Sequence, residues 1–251
     1  MKRIAFALIY FFANYNAYAA PITNIVGNWH IDEGSGQKTL DSSGHAKHGQ
    51  LGSTSGIDTN DPTWTIRRFD TAALHFDGND FFRVPYTKIL EPRRISVEAW
   101  VRNLGSPGDV RYIVSKSSLD CAFSAYALYT GNEGGLAFYI SDGVGYLESK
   151  NIDQSIWDGN WHHVVGTYDQ KSIRLYVDGI EVGGGTPANF PIAYSAFSQK
   201  DLHVGHYERG ITCYPGVPDF ADFHFIGDID EVRIWNRALT AEEVAIRYKG
   251  D

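Results

Sequence analysis

Three groups of residues carry side chains able to do chemistry. The first is His162-His163, inside DGNWHHVVGTYDQKSIRLYVDG (158–179). The second is a set of aspartates, among them Asp32, Asp41, Asp228 and Asp230. The third is aromatic: Tyr207, Tyr214, Phe220 and Phe223 in GHYERGITCYPGVPDFADF (205–223), with Tyr126 at the end of SSLDCAFSAY (117–126). Adjacent strand residues point to opposite faces, so His162 and His163 are expected to pack or hydrogen-bond separately. Carboxylates at i and i+2 of a strand share a face about 6–7 Å apart. A retaining glycosidase needs about 5–5.5 Å. Asp228 and Asp230 have this spacing, whereas Glu98 and Glu148 stand alone. Asp230 also shares strand phase with Val232 and Ile234, which predicts that it faces the core. A carboxylate there needs a cation or several amide donors. Nucleophile, zinc and phosphate motifs are absent from the sequence: there is no Gly-x-Ser-x-Gly, His-x-x-x-His, Cys-x-x-Cys or phosphate loop. The aromatic loop suits sugar stacking, with polar groups fixing hydroxyls. Its alternative is that the rings pack beneath the loop.

The elements that must position these groups are strands. Residues 161–168 and 172–178 alternate in polarity, and Asp178-Gly179 is a hairpin signal, because a type I′ turn needs positive φ at both central positions. Further strands are predicted at 73–76, 81–84, 95–101, 112–116, 126–130, 136–141, 201–204 and 223–235. In 95–101, Val97, Ala99 and Val101 oppose Ser96, Glu98 and Trp100. Turn signals separate these runs and no long helical period exists, which predicts an all-β antiparallel sandwich or jelly roll. One short helix is predicted over 241–248, where Thr240 and Glu243 form a capping box.

Composition bounds the function. The 251 residues carry a formal charge of -8 and no basic cluster, so nucleic acid is not an expected partner. Lys2 and Arg3, the apolar run 4–12 and Ala17-Tyr18-Ala19 read as a signal peptide over 1–19, leaving a single domain over 20–251. No later run reaches the ~20 apolar residues of a membrane helix. The protein is therefore expected to be exported to the periplasm, cell surface or medium. Its two cysteines, Cys121 and Cys213, have one possible intramolecular pairing in an oxidising compartment; two separate buried thiols are the alternative.

Five segments in order carry a family resemblance: GNWHIDEGSGQKTLDSSGHAKHGQLG (27–52), ALHFDGNDFFRVP (73–85), ISVEAWVR (95–102), the histidine segment, and GDIDEVRIWNRALTAEEV (227–244). Together they resemble bacterial laminin G-like jelly-roll domains of the concanavalin A-like superfamily. The resemblance covers nearly all of the chain after the leader. It implies the jelly-roll fold. It also implies a disulfide between Cys121 and Cys213, and a structural calcium joining the first strand to the last, with Asp32, Asp41 and Asp230 as the matching acids. Calcium takes six to eight oxygens, and the loop 41–49 supplies carboxylate and carbonyl donors. Laminarinase-like members of the superfamily use Glu-x-Asp-x-Glu or Glu-x-Asp-x-x-Glu; here Asp228 and Asp230 match two places, but Val232 or Arg233 stands at the third. The expectation is a non-catalytic module binding a glycan or glycoprotein, through Tyr126, Tyr207, Tyr214 and Phe220. A protein–protein adhesion or structural module of the same fold is the alternative, and a glycoside hydrolase with carboxylates assembled from distant strands is the third reading.

Overall fold

A computed structural model describes residues 24–67, 71–117, 123–194, 200–207 and 223–250. The expected signal peptide lies outside the described residues, as do Cys121, Cys213, Tyr214 and Phe220.

The described strands, in chain order, are β1 (Ile25–Trp29), β2 (Lys38–Thr39), β3 (Gly49–Leu51), β4 (Thr63–Ile66), β5 (Ala72–Asp77), β6 (Phe82–Val84), β7 (Ile95–Arg102), β8 (Tyr112–Lys116), β9 (Tyr126–Tyr129), β10 (Ala137–Ser141), β11 (Tyr146–Glu148), β12 (His162–Tyr168), β13 (Ser172–Val177), β14 (Ile180–Glu181), β15 (Thr186–Pro187), β16 (Leu202–Val204) and β17 (Ile226–Trp235). A single α-helix among the described residues, α1 (Ala241–Gly250), follows them, and short 3₁₀ turns lie at Lys88–Leu90, Gly131–Glu133 and Gln154–Ile156. All strand pairs between these elements are antiparallel. Sheet A has the order β14-β13-β12-β7-β17-β5-β4, with β1 on β17 and β15 on β13; sheet B has the order β11-β10-β9-β8-β16-β6-β3-β2. The two sheets make the expected sandwich.

Alternation decides what lies between them. Val97, Ala99 and Val101 of β7 join the core with Ile229, Val232 and Ile234 of β17 and Leu128, Phe138 and Ile140 of sheet B. The sheets approach closely where Gly166 of β12 faces Phe138: a Cβ at Gly166 would come within 2.1 Å of the ring. Glycine here is a packing requirement rather than a turn. The turn requirement is met at Asp178 (φ 50) and Gly179 (φ 80), which connect β13 to β14 as the sequence predicts.

Helix α1 covers part of sheet A's outer face. Val244 and Leu239 pack on Val165, Tyr176 and Trp235. The capping box forms: Thr240 Oγ1 accepts from Glu243 N at 3.2 Å, and Glu243 Oε2 accepts from Thr240 N at 2.8 Å.

One strand departs from simple alternation. Asp230 pairs with Trp100 and Arg233 with Glu98, so β17 uses three steps where β7 uses two. The extra residue is Glu231, at φ 51. Such a bulge reverses the phase of whatever precedes it. Asp230 therefore leaves the phase of Val232 and Ile234 and turns outward, beside Trp100. The core-facing placement predicted for it is corrected by this bulge.

Candidate functional site

Sheet B's outer face is built of rings. On β9, Leu128 and Tyr126 point inward, while Ala127 and Tyr129 point outward. Tyr139 of β10, Tyr112 of β8 and Tyr146 of β11 join Tyr129 on that outer side, with Tyr207 and Phe223 against them. The rings are contiguous. Tyr207 stacks on Tyr112 at 5.0 Å between centroids, Phe223 meets both edge-on at 5.5 and 5.9 Å, Tyr129 meets Tyr139 at 5.0 Å, and Phe123 meets Tyr146 at 4.7 Å. Offset and edge contacts of this kind add about 0.5–1.5 kcal/mol per pair beyond burial. Their hydroxyls are tied down: Tyr129 Oη donates to Glu148 Oε2 at 2.5 Å, and Tyr139 Oη accepts from Ser124 N at 3.1 Å and lies 3.3 Å from Tyr112 Oη. Burial pushes Tyr112 up to about 12 and raises Tyr129 and Tyr139 further, so these phenols are neutral hydrogen-bonding groups.

Toward β6 the same face turns to imidazole. His206 stacks on His224 at 4.1 Å, and Phe81 lies 5.7 Å from His203 and 5.5 Å from His206. Burial holds His203 down to about 3 and His206 to about 2, with neighbouring positive groups adding to the effect. Tyr112, Tyr129, Tyr139, Tyr207 and His203 are themselves buried and pack as a cluster, as the packing alternative expects for Tyr207; the rings open to solvent are Phe123 and, in part, Tyr146, His206, Phe223 and His224 at its margin. Open ring faces beside polar groups are the chemistry of saccharide recognition.

The structure sorts the predicted residues. Tyr126 is fully buried between the sheets, with its hydroxyl donating to Leu90 O at 3.1 Å. It is not on the outer face, because it shares phase with Leu128; the outward tyrosine of that strand is Tyr129. Tyr207 is on the face, packed on Tyr112. Tyr112, Tyr129 and Tyr139 were not singled out from the sequence, although the leucine in phase with Tyr126 was a usable signal.

His162 and His163 separate as expected. His162 lies between Asp178 (2.8 Å) and Asp158 (3.1 Å), which raise its pKa, Asp178 foremost. His163 is buried, 3.0 Å from Glu98 Oε1.

The calcium implied by the resemblance does not fit the acids assigned to it. Asp41 Oδ1 accepts from the amides of Asn28 (3.0 Å) and Ser43 (2.9 Å), and Oδ2 from Lys47 (2.8 Å). Burial would raise the pKa of Asp41, but the Ser43 side chain and these amides outweigh it and lower the pKa. Asp230 Oδ2 is 2.9 Å from Arg67 Nη1, so a guanidinium holds the cation's place. Asp32 is exposed. Among the described residues no three His, Cys, Asp or Glu side chains gather as a metal site. Asp228 and Asp230 both face outward, but as partners of arginines rather than as a carboxyl pair: Asp228 is bound by Arg102 Nε at 2.7 Å and by His75 at 2.7 Å.

A family model of laminin G type, described as the Concanavalin A-like lectin/glucanases superfamily, matches residues 76–245. No curated protein matches the sequence. Among solved structures, domain 4 of AbnA, a GH43 extracellular arabinanase from Geobacillus stearothermophilus in complex with arabinotriose, is 17% identical with a TM-score of 0.63, covering 89% of this chain and 97% of that one. A botulinum neurotoxin type C structure, concerned with cell entry dependent on two ganglioside molecules, is 13% identical with a TM-score of 0.64, covering 90% and 51%. The binding domain of botulinum neurotoxin DC in complex with rat synaptotagmin II is 13% identical with a TM-score of 0.63, covering 90% and 51%. The likeness to the two toxin structures spans about half of their length. These identities speak for the fold. Among the described residues no helix is long and apolar enough to cross a membrane.

Proposed function

The chain belongs to the laminin G-like family of the Concanavalin A-like lectin/glucanases superfamily, and from that premise we propose that it is an exported, non-catalytic recognition module binding a carbohydrate or glycoprotein on the outer face of sheet B. The observation that carries this reading is the continuous run of outward rings from Phe123 and Tyr146, through Tyr139 and Tyr112, to Tyr207 and Phe223. Tyr112, Tyr129, Tyr139 and Tyr207 form the buried floor of this run, and the exposed Phe123 with the half-buried Tyr146 and Phe223 supplies the ring faces for stacking on a sugar. The arabinotriose complex and the ganglioside-dependent toxin support the ligand class by analogy.

The proposed bridge between Cys121 and Cys213 belongs to the same reading. In the sequence Cys121 stands two residues before Phe123, and Cys213 stands between Tyr207 and Phe223. Non-reducing mass spectrometry should find a peptide linking the two; free thiols at both would remove the bridge.

The test is a glycan array of the protein from Ala20 onward. A specific hit is expected, reduced severalfold in Tyr207→Ala. One observation favours protein adhesion instead: the β11 edge exposes Phe123 (42%), Val144 (91%) and Leu147 (44%). A blank array from well-folded protein, with a partner captured through that edge, would replace the glycan reading.

A further inference from the structure

The six tryptophans divide by what their indole N–H groups do. Trp29 donates to Lys47 O at 2.8 Å, Trp64 to Gly36 O at 3.0 Å, Trp157 to Gly134 O at 2.9 Å and Trp235 to Glu98 Oε2 at 3.0 Å. The indole nitrogens of Trp100 and Trp161 are buried and have no partner. A buried donor left unpaired costs about 1–3 kcal/mol, so two together call for an explanation.

Both lie about one guanidinium. Arg67 Cζ is 4.4 Å from the Trp100 ring centroid and 5.7 Å from that of Trp161. The same arginine binds Oδ2 of Asp230, whose side chain is 1% exposed and whose Oδ1 also has no partner. Three unmet polar atoms therefore surround Arg67 on sheet A's outer face. The three atoms are covered from solvent, and the cluster's edge is formed by Arg102, 33% exposed and 5.0 Å from the Trp161 ring, and His75, 46% exposed, both held by Asp228, so a ligand must displace these edge side chains to reach them.

The unmet groups select a ligand by its chemistry. A carboxylate or phosphate would accept from the indoles but would oppose the free oxygen of Asp230. A metal cation would suit that oxygen but would meet Arg67 and two N–H donors. A hydroxyl both donates and accepts, and adjacent hydroxyls on one ring can serve Asp230 and the indoles together. Arg67 and Arg102 are each paired with an aspartate, so the site is near neutral when both carboxyls are ionised. We propose that the Arg67–Asp230–Trp100–Trp161 cluster is a second binding site, for an uncharged saccharide, on the sheet opposite the aromatic face.

The tryptophans are also the probe. Labelled with ¹⁵N, the protein should give six indole N–H signals. Arabinotriose, maltotriose and xylotriose are titrated in turn, beside trigalacturonate and calcium chloride. At least one neutral trisaccharide should shift Trp100 and Trp161 together and leave the other four in place. Trp161→Phe, which keeps a ring and removes the donor, should weaken that binding roughly three- to tenfold. If none of the neutral sugars moves the pair, the cluster holds ordered water only and the proposal falls. It also falls if trigalacturonate or calcium moves the pair instead. Sheet B's outer face carries no tryptophan, so sugar binding there leaves these signals unchanged. The two readings can therefore fail separately.

Discussion

Glu98 and Asp230 are both buried carboxylates, on adjacent strands and the same outer face of sheet A, yet their surroundings are opposite. Glu98 receives His163 at 3.0 Å, Arg233 at 3.0 Å, Trp235 at 3.0 Å and Arg247 at 2.8 Å. Burial would raise its pKa, but the His163 hydrogen bond and the two arginines outweigh that and hold it well below the usual carboxylate range. Asp230 has Arg67 and one unpartnered oxygen, and burial pushes it up to about 8. Strands β12 and β17 supply three of the partners of Glu98, and helix α1 supplies the fourth. The helix brings Arg247 over Glu98, lays Tyr248 on Trp100 and His163, and ends there. A saturated buried charge anchors structure. An unsaturated one on the same surface marks a place where something else can bind.

The largest effect that tests this contrast is truncation. Glu98→Ala removes a partner from buried Arg233 and half-buried Arg247 and should cost about 3–5 kcal/mol in urea unfolding, whereas Asp230→Asn should cost far less. Comparable losses at the two positions would erase the distinction.

A second, smaller effect is the sign of the pH response. The pKa of Glu98 is lowered on folding from 4.5, so its stabilisation is complete above that value and is lost as pH falls below it. The pKa of Asp230 is raised from 3.8 to about 8, so keeping it in the fold becomes more costly as pH rises from about 4 to 8. Thermal melts of Asp230→Asn should therefore lose the decline toward pH 8 and keep the acid limb. Glu98→Gln should do the reverse. A pH profile unchanged in both variants would contradict both assignments.

The smallest expected effect is that of chelation. With Asp41 taken up by three amides and Asp230 by Arg67, EDTA should leave the melting temperature where it is. A drop of several degrees would return a cation to this end of the sandwich and make Asp230 its ligand rather than an open hydrogen-bonding group.

What could be read in advance followed local rules. Alternation in ISVEAWVR placed Val97, Ala99 and Val101 in the core and left Glu98 and Trp100 outside. Asp178-Gly179 specified its hairpin, and Thr240 and Glu243 specified the start of α1, because each depends on backbone geometry within a few residues. The same rule misplaced Asp230. Nothing local announces that Glu231 will take positive φ, and a single extra residue turns the preceding carboxylate to the other face.

The sequence by itself determined an all-β sandwich, its turns and its short helix, since period and turn chemistry are short-range properties. Only the tertiary structure decided which rings meet on sheet B, that Tyr126 is a core residue and Tyr129 an outward one, and that Trp100 and Trp161 share Arg67. Those facts depend on pairing between strands distant in the chain. Whether a buried polar group is satisfied depends on what the rest of the fold brings to it.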